Sequence, residues 1–214
     1  MAKRKSESMG SDVAGTKMAE KPVVLMELDE RQIRVRIRGT TSLIVHAWSA
    51  KAVKMMEDAQ QKKAKKAKEA KDPVIECESC QYRDADGKSC FPASAFKKAM
   101  ISAATSIEDK RFPKTKIRQA IFVEGHLLPI LGPEPSMRTD PVRLRAGGSA
   151  DIRYRPEFPA GWTMDLTLTY NAAVVSAEQV VNLLNLAGFA VGIGDWRPEK
   201  DGNNGRFRVE SSPK

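Results

Sequence analysis

Three cysteines stand close together in the chain: two residues separate Cys77 from Cys80, and nine more separate Cys80 from Cys90. Two thiolates at that spacing suit tetrahedral Zn²⁺, which makes Cys77, Cys80 and Cys90 candidate ligands of a zinc ion. The local sequence offers no fourth ligand, so His126, His46 or a residue of a neighbouring subunit would have to complete the site. The competing reading is three unliganded thiols in a loop. Three cysteines cannot all pair internally, which points to a reducing, cytoplasmic setting. His46 and His126 are the only histidines. A histidine can serve as general acid or base because its pKa lies near neutrality, yet both sit in apolar runs, "LIVHAW" and "GHLLPIL", where a packing role competes. No Ser-His-Asp set, metal-carboxylate cluster or Walker motif accompanies them, so no enzymatic activity is expected.

Cations are the more numerous resource. Lys and Arg total 36 against 27 Asp and Glu, a formal net charge of +9, and polyanions are the natural partners of such a surface. "ERQIRVRIRG" alternates Ile33, Val35 and Ile37 with Arg34, Arg36 and Arg38, so a half-buried strand would show a row of arginines about 7 Å apart, comparable to phosphate spacing in a nucleic-acid strand. Lys97 and Lys98 flank the apolar face of a helix. "DKRFPKTKIRQ" supplies Arg111, Lys114, Lys116 and Arg118 from what reads as a basic loop. Arg143, Arg145, Arg153 and Arg155 alternate with apolar residues in "VRLR" and "DIRYR", and could share one face of a hairpin. Arg197 and Arg206 belong to the closing segment "VGIGDWRPEKDGNNGRFRVE". Contacts from such residues to phosphates give sequence-independent, salt-sensitive affinity. Aromatic residues are only 6% of the chain, so base stacking must come from few positions; of Trp196, Tyr154, Trp48 and Phe91, Trp196 is the one expected to be exposed.

The elements that must position these groups follow from periodicity. Residues 1–22 are polar and basic, lack the apolar run of a secretory signal, and read as a disordered tail; residues 211–214 read as another. Between them, 23–210 reads as a single domain. Residues 49–72 are rich in helix formers, the first half able to pack and the lysine-rich second half projecting into solvent. "DPVIECESCQYRDADGKSC" is loop-like with a turn at Asp86-Gly87, so 49–90 forms a helical and cysteine-containing insertion. "FPASAFKKAMISAATS" spaces Phe96, Ala99, Met100 and Ala103 as an amphipathic helix. "AIFVEGHLLPIL" reads as one strand, and 132–161 as an inserted hairpin turning at Gly147-Gly148. "WTMDLTLTYN" alternates as a strand, Ser176 and Gln179 form a capping box ahead of a second amphipathic helix, and "GRFRVE" closes as a strand.

Without the insertions the order is strand, helix, strand, strand, helix, strand, an α+β class with a ferredoxin-like (RRM-like) βαββαβ core. The sequence resembles the RAMP superfamily of CRISPR-associated proteins, especially the subunits that line up along guide RNA. "TTSLIVHAWS" resembles the family's opening segment, "FPASAFKKAMISAA" its helix start, and "GIGDWRPEKDGNNGRFRV" its C-terminal glycine-rich loop; the inserted hairpin sits where those subunits carry a thumb. Together these cover roughly residues 31 to 210. Asp195 and Trp196 depart from the small or basic residues usual in that loop, and the chain is shorter than many CRISPR subunits. The resemblance implies a single-stranded RNA- or DNA-binding protein assembling side by side with copies of itself, as an effector subunit or as a stand-alone phage-type relative. The other readings it leaves open are an endoribonuclease using His46 and a structural subunit of a ribonucleoprotein.

Overall fold

The computed structural model describes residues 27–64, 70–109, 112–143 and 150–210. Arg111, Arg145, both tails, residues 65–69 of the lysine-rich segment and the Gly147-Gly148 turn lie outside the described residues. In chain order the elements are β1 (Glu30–Gly39), β2 (Leu43–Ile44), α1 (Ala50–Gln60), α2 (Pro73–Ser79), β3 (Tyr82–Arg83), β4 (Ser89–Pro92), α3 (Ala93–Ala103), α4 (Lys114–Ala120), β5 (Ile121–Val123), β6 (Leu127–Pro129), β7 (Ser136–Arg143), β8 (Ala150–Phe158), β9 (Thr163–Asn171), α5 (Ala177–Leu186) and β10 (Phe207–Val209). The chain is a mixed α+β fold whose sheets are antiparallel. Among the described residues no helix is long and apolar enough to cross a membrane.

The largest sheet has the order β10-β1-β9-β5. Alternation decides its two faces: Ile37, Met164, Leu166 and Leu168 point into the core, while Arg34, Arg36, Arg38 and Asp165 point out. Helices α3 and α5 cover the inner face, because Phe96, Ala99, Met100 and Ala103 of the one and Val180, Leu183 and Leu184 of the other join the same apolar cluster. Each of the larger side chains among these, Phe96, Met100, Val180, Leu183 and Leu184, contributes about 1.5–3 kcal/mol relative to exposure. Edge-to-face rings tie the layers together, Phe96 meeting Phe207 at 5.5 Å and Phe207 meeting Trp162 at 6.4 Å between centroids. The capping box of α5 is formed, Ser176 Oγ accepting from Gln179 N and Gln179 Oε1 from Ser176 N. A second sheet, β2-β8-β7, holds the hairpin, and a third, β3-β4-β6, lies beside the start of α3.

Several elements differ from the sequence-based expectation, each for an identifiable reason. Helix α1 has no buried residue, so its first half does not pack. Residues Pro73–Ser79 form a helix where a loop was expected, since Asp72 caps the amides of Val74 and Ile75 and Pro73 occupies the first turn. The basic loop after Phe112 contains α4, anchored by buried Ile117 and Ala120. The single strand expected over "AIFVEGHLLPIL" is two, in different sheets, separated at Gly125 with φ +85°. In the hairpin, Arg153 opposes Asp140 and Arg155 opposes Arg138, whereas Arg143 opposes Ala150. Opposed residues share a face and neighbours alternate, so Arg143 lies on the other face from Arg153 and Arg155.

Candidate functional site

The last helix ends at Gly192, φ +69°, where the glycine turn of its sequence is expected to stop it, but its final turn is not a regular α-helix. Helix α5 continues through a π-helical turn, Ala187–Val191, before Gly192. The following loop then runs back across the fold: Asp195 N donates to Ile44 O at 3.0 Å and Gly205 N to Ser42 O at 2.6 Å. This stitches the loop to the segment containing β2 and brings Asp195 beside His46. His46 Nδ1 lies 3.1 Å from Asp195 Oδ2, and the same oxygen accepts from Arg155 Nη1 at 2.6 Å. Arg155 reaches back to Asp140 at 2.5 Å, Arg138 grips both Asp140 and Glu157, and Glu157 accepts from Ser42, which in turn accepts from Asn204. The hairpin, the β2 segment and the glycine-rich loop are thus joined by one run of charged and hydroxyl groups.

Arg155 was expected to contact phosphate; it is 2% exposed, so its guanidinium is committed to two carboxylates. That is a correction to the sequence reading, and its cause is the pair Asp140 and Asp195, distant in sequence and invisible to local alternation. Burial works to raise the pKa of Asp195, but hydrogen bonds from His46 and Arg155 outweigh it and hold the carboxyl below its ordinary value. The hydrogen bond to Asp195, followed by one to Cys80, pushes His46 up to about 9. At neutral pH His46 is therefore an imidazolium held in place, a poor general base.

The sign of the pH dependence follows. A group whose folded pKa exceeds its unfolded value stabilises fully below the unfolded value and ceases to do so as pH rises through the folded one. The groups facing His46 are Asp195 from the loop and Cys80 from the end of α2, with Arg155 behind Asp195. Because the His46 side chain is 34% exposed and solvent screens its ion pair, only about 1 kcal/mol of the shift is expected to count, and the melting temperature should fall between pH 6.5 and 9 by an amount on the order of 2–4 °C. Scanning calorimetry across that window checks it, since His46→Gln should flatten the decline.

His46 and Asp195 line a cleft of about 530 Å³ between the first turns of α3 and the glycine-rich loop. Ser94, Lys98, Arg197 and Glu199 share the lining with Tyr82, Phe91 and Pro92. Lys98 is exposed there, and Arg197 holds Glu199 at 2.7 Å while donating to Gly194 O at 3.1 Å. Trp196 is 46% exposed with φ +55°. Arg206 is half-buried over the exposed ring of Phe189, 4.6 Å from its centroid; Phe189 is not legible as a surface residue in the sequence because it sits in an apolar run.

The remaining predicted contacts lie elsewhere. Arg34 and Arg36 are exposed on the outer face of the main sheet, Arg36 bound to Asp165 through two bonds of 2.7 Å. Lys97 packs its ammonium 3.7 Å from the centroid of Phe122, and burial followed by the neighbouring charge of Arg118 lowers its pKa. Lys114, Lys116 and Arg118 are exposed on α4, and Arg143 and Arg153 on the hairpin are exposed and half-buried respectively. The three cysteines are buried and free of disulfides. Among the described residues no three His, Cys, Asp or Glu side chains are gathered to hold a metal ion, so the structure does not bring Cys77, Cys80 and Cys90 together as their spacing suggested. Cys80 instead contacts His46, and Cys90 is carried in β4 opposite Tyr82.

Charge is distributed unevenly between the described residues and the rest. Segments 1–26, 65–69 and 110–111 each carry +2, and 144–149 and 211–214 each carry +1, against +9 for the whole chain. The described residues are thus close to neutral, and cationic contacts on them depend on local clusters.

No family model matches the chain, and no curated protein matches it. Among solved structures it is similar to the crystal structure of Cmr6 from Pyrococcus furiosus, with a TM-score of 0.44 and 9% identity over 86% of this chain and 100% of that one.

Proposed function

We propose that the protein binds single-stranded nucleic acid on the outer face of its four-stranded sheet and is not an enzyme. The observation that carries this reading is the exposed row Arg34, Arg36 and Arg38 on β1, with exposed Arg208 of β10 directly opposite Arg38. Like charges directly opposed on a sheet repel, and a polyanion laid across them removes that repulsion. Asp165 and Glu210 each pair with one of the four, Arg36 and Arg38 respectively. Arg34 and Arg208 have no ion pair among the described residues. Phe122 is 49% exposed on β5 and shares that face through its partner Thr169; Lys97 covers one side of its ring, which leaves the other side for stacking. The succession β1, α3, β5, β9, α5, β10 in the sheet order β10-β1-β9-β5 is taken here as a ferredoxin-like, RRM-like core, a topology that elsewhere presents single strands on its open face. Side-by-side assembly of copies along the strand, as the RAMP-like segments imply, is part of the same proposal.

Anisotropy of a labelled 20-nucleotide single strand, titrated with salt, tests it. Affinity should fall steeply with salt, and Arg34→Ala with Arg208→Ala should reduce the slope of log K against log salt by about 1.4, roughly 0.7 for each phosphate no longer neutralised. Binding that is absent, or indifferent to salt, overturns the reading.

A further inference from the structure

The cleft is lined from α3 and the glycine-rich loop, and by none of Arg34, Arg36, Arg38 and Arg208. Its size suits one small ligand rather than a groove that tracks a strand: about 530 Å³ falls within the usual range of small-molecule sites, roughly 300–1,000 Å³. One wall is apolar and aromatic. Tyr82 is held edge-on against Phe91, with centroids 6.1 Å apart and planes at 81°, so its ring is fixed in place before any ligand arrives. The lining also carries three cationic side chains, Lys98 from α3, Arg197 from the glycine-rich loop and His46, with the carboxylates of Asp195 and Glu199. Both acids are already engaged, Asp195 by His46 and Arg155 and Glu199 by Arg197 and Ser102. Lys98 has no ion pair among the described residues, so the cleft keeps an exposed cation in a lining that also holds Tyr82, Phe91 and Pro92.

We infer that the cleft binds a single nucleotide unit, its phosphate at Lys98 and Arg197 and its base against the Tyr82 and Pro92 wall. This deepens the nucleic-acid reading and rests on it: the outer face would carry the strand while the cleft takes one nucleotide, such as a strand end that carries a phosphate. A free anion would not use the aromatic wall, and an uncharged aromatic compound would leave Lys98 without a partner.

Isothermal titration of the full chain with AMP, UMP, adenosine, ribose 5-phosphate and inorganic phosphate separates these chemistries. The expected result is saturable binding of AMP or UMP, at least about tenfold tighter than adenosine or inorganic phosphate, as removal of a charge-assisted hydrogen bond or of stacking would give. Lys98→Ala should weaken AMP about tenfold, and His46→Gln serves as a second cleft variant, while Arg34→Ala should leave AMP binding unchanged. Inorganic phosphate binding as tightly as AMP, AMP binding unaffected by Lys98→Ala, or no mononucleotide binding overturns the inference. The two readings fail separately: a chain that binds the 20-nucleotide strand but no mononucleotide loses the cleft assignment alone. One that binds AMP at Lys98 but no strand keeps the cleft and loses the outer-face function.

Discussion

Arg155→Met is expected to destabilise the protein by about 3 kcal/mol or more, the low end of the range for removing one partner of a buried ion pair. Arg155 is 2% exposed and holds Asp140 at 2.5 Å and Asp195 at 2.6 Å. Removing the guanidinium leaves Asp140, itself 9% exposed, dependent on Arg138 alone, and Asp195 on His46 alone. Those residual partners, and solvent at Asp195, keep the cost from the top of the range. The guanidinium is not perfectly placed, since its buried Nε has no partner among the described residues; a polar atom buried without a partner is itself a cost. The ion-pair run is therefore better understood as fixing the loop against the hairpin than as a large net source of stability. Urea denaturation of the variant beside Arg36→Met decides the matter. Arg36 and Asp165 are 52% and 59% exposed in their side chains, and breaking an exposed pair should cost less than about 1 kcal/mol. Equal losses in the two variants would mean that Arg155 does not hold the hairpin to the loop.

The contrast between those arginines also shows what the sequence could reveal. Wherever an element buries one face, local alternation located it: Ile37 in β1, Met164, Leu166 and Leu168 in β9, Phe96 and Met100 in α3 and Leu184 in α5 are all core residues. Alternation also placed Arg34, Arg36 and Arg38 outside, because a strand with one apolar face leaves its other face to solvent. The same pattern misled at Arg155. In "DIRYR" the arginines alternate with Ile152 and Tyr154 as they would on a solvated face, yet β8 is the middle strand of its sheet, between β2 and β7. Its charged face meets Asp195, 40 residues later in the chain. No window of local sequence contains that encounter. Asp195 stood out in the sequence only as a departure from the small or basic residues usual in the resembled loop; nothing local named its partners, which are His46 and Arg155. Helix α2 was read as a loop because of the cysteine spacing, although Asp72-Pro73 ahead of Val74 and Ile75 is a helix-start signal.

Gly205→Ala is expected to cost about 2–6 kcal/mol and to disable the cleft along with the last strand. Gly205 has φ +68°, where a side chain at Cβ is strained, and a Cβ added there would stand 1.7 Å from the carbonyl oxygen of Ile193. That oxygen is backbone and cannot swing aside. The strained conformation costs about 1–3 kcal/mol, and overpacking against a fixed atom typically adds about 1–3 more. The glycine cannot simply move outward, because its amide donates to Ser42 O at 2.6 Å and its carbonyl accepts from Ile193 N at 3.0 Å. Ile193 and Gly194 form one wall of the cleft, so the displacement that relieves the clash opens that wall. Gly87→Ala is the matched control: φ is +76°, yet nothing lies within 4 Å of an added Cβ, so it bears the conformational cost alone. Denaturation of both variants, with AMP titration of each, should show Gly205→Ala as the less stable by about 1–3 kcal/mol and the one that no longer binds the nucleotide. Equal stability would mean that the chain crossing at Ile193 is looser than its geometry indicates. A larger loss at Gly205 would place the demand for glycine in the packing of two segments of this chain, with Ser42 and Ile193 as its partners, rather than in the approach of a ligand to the loop.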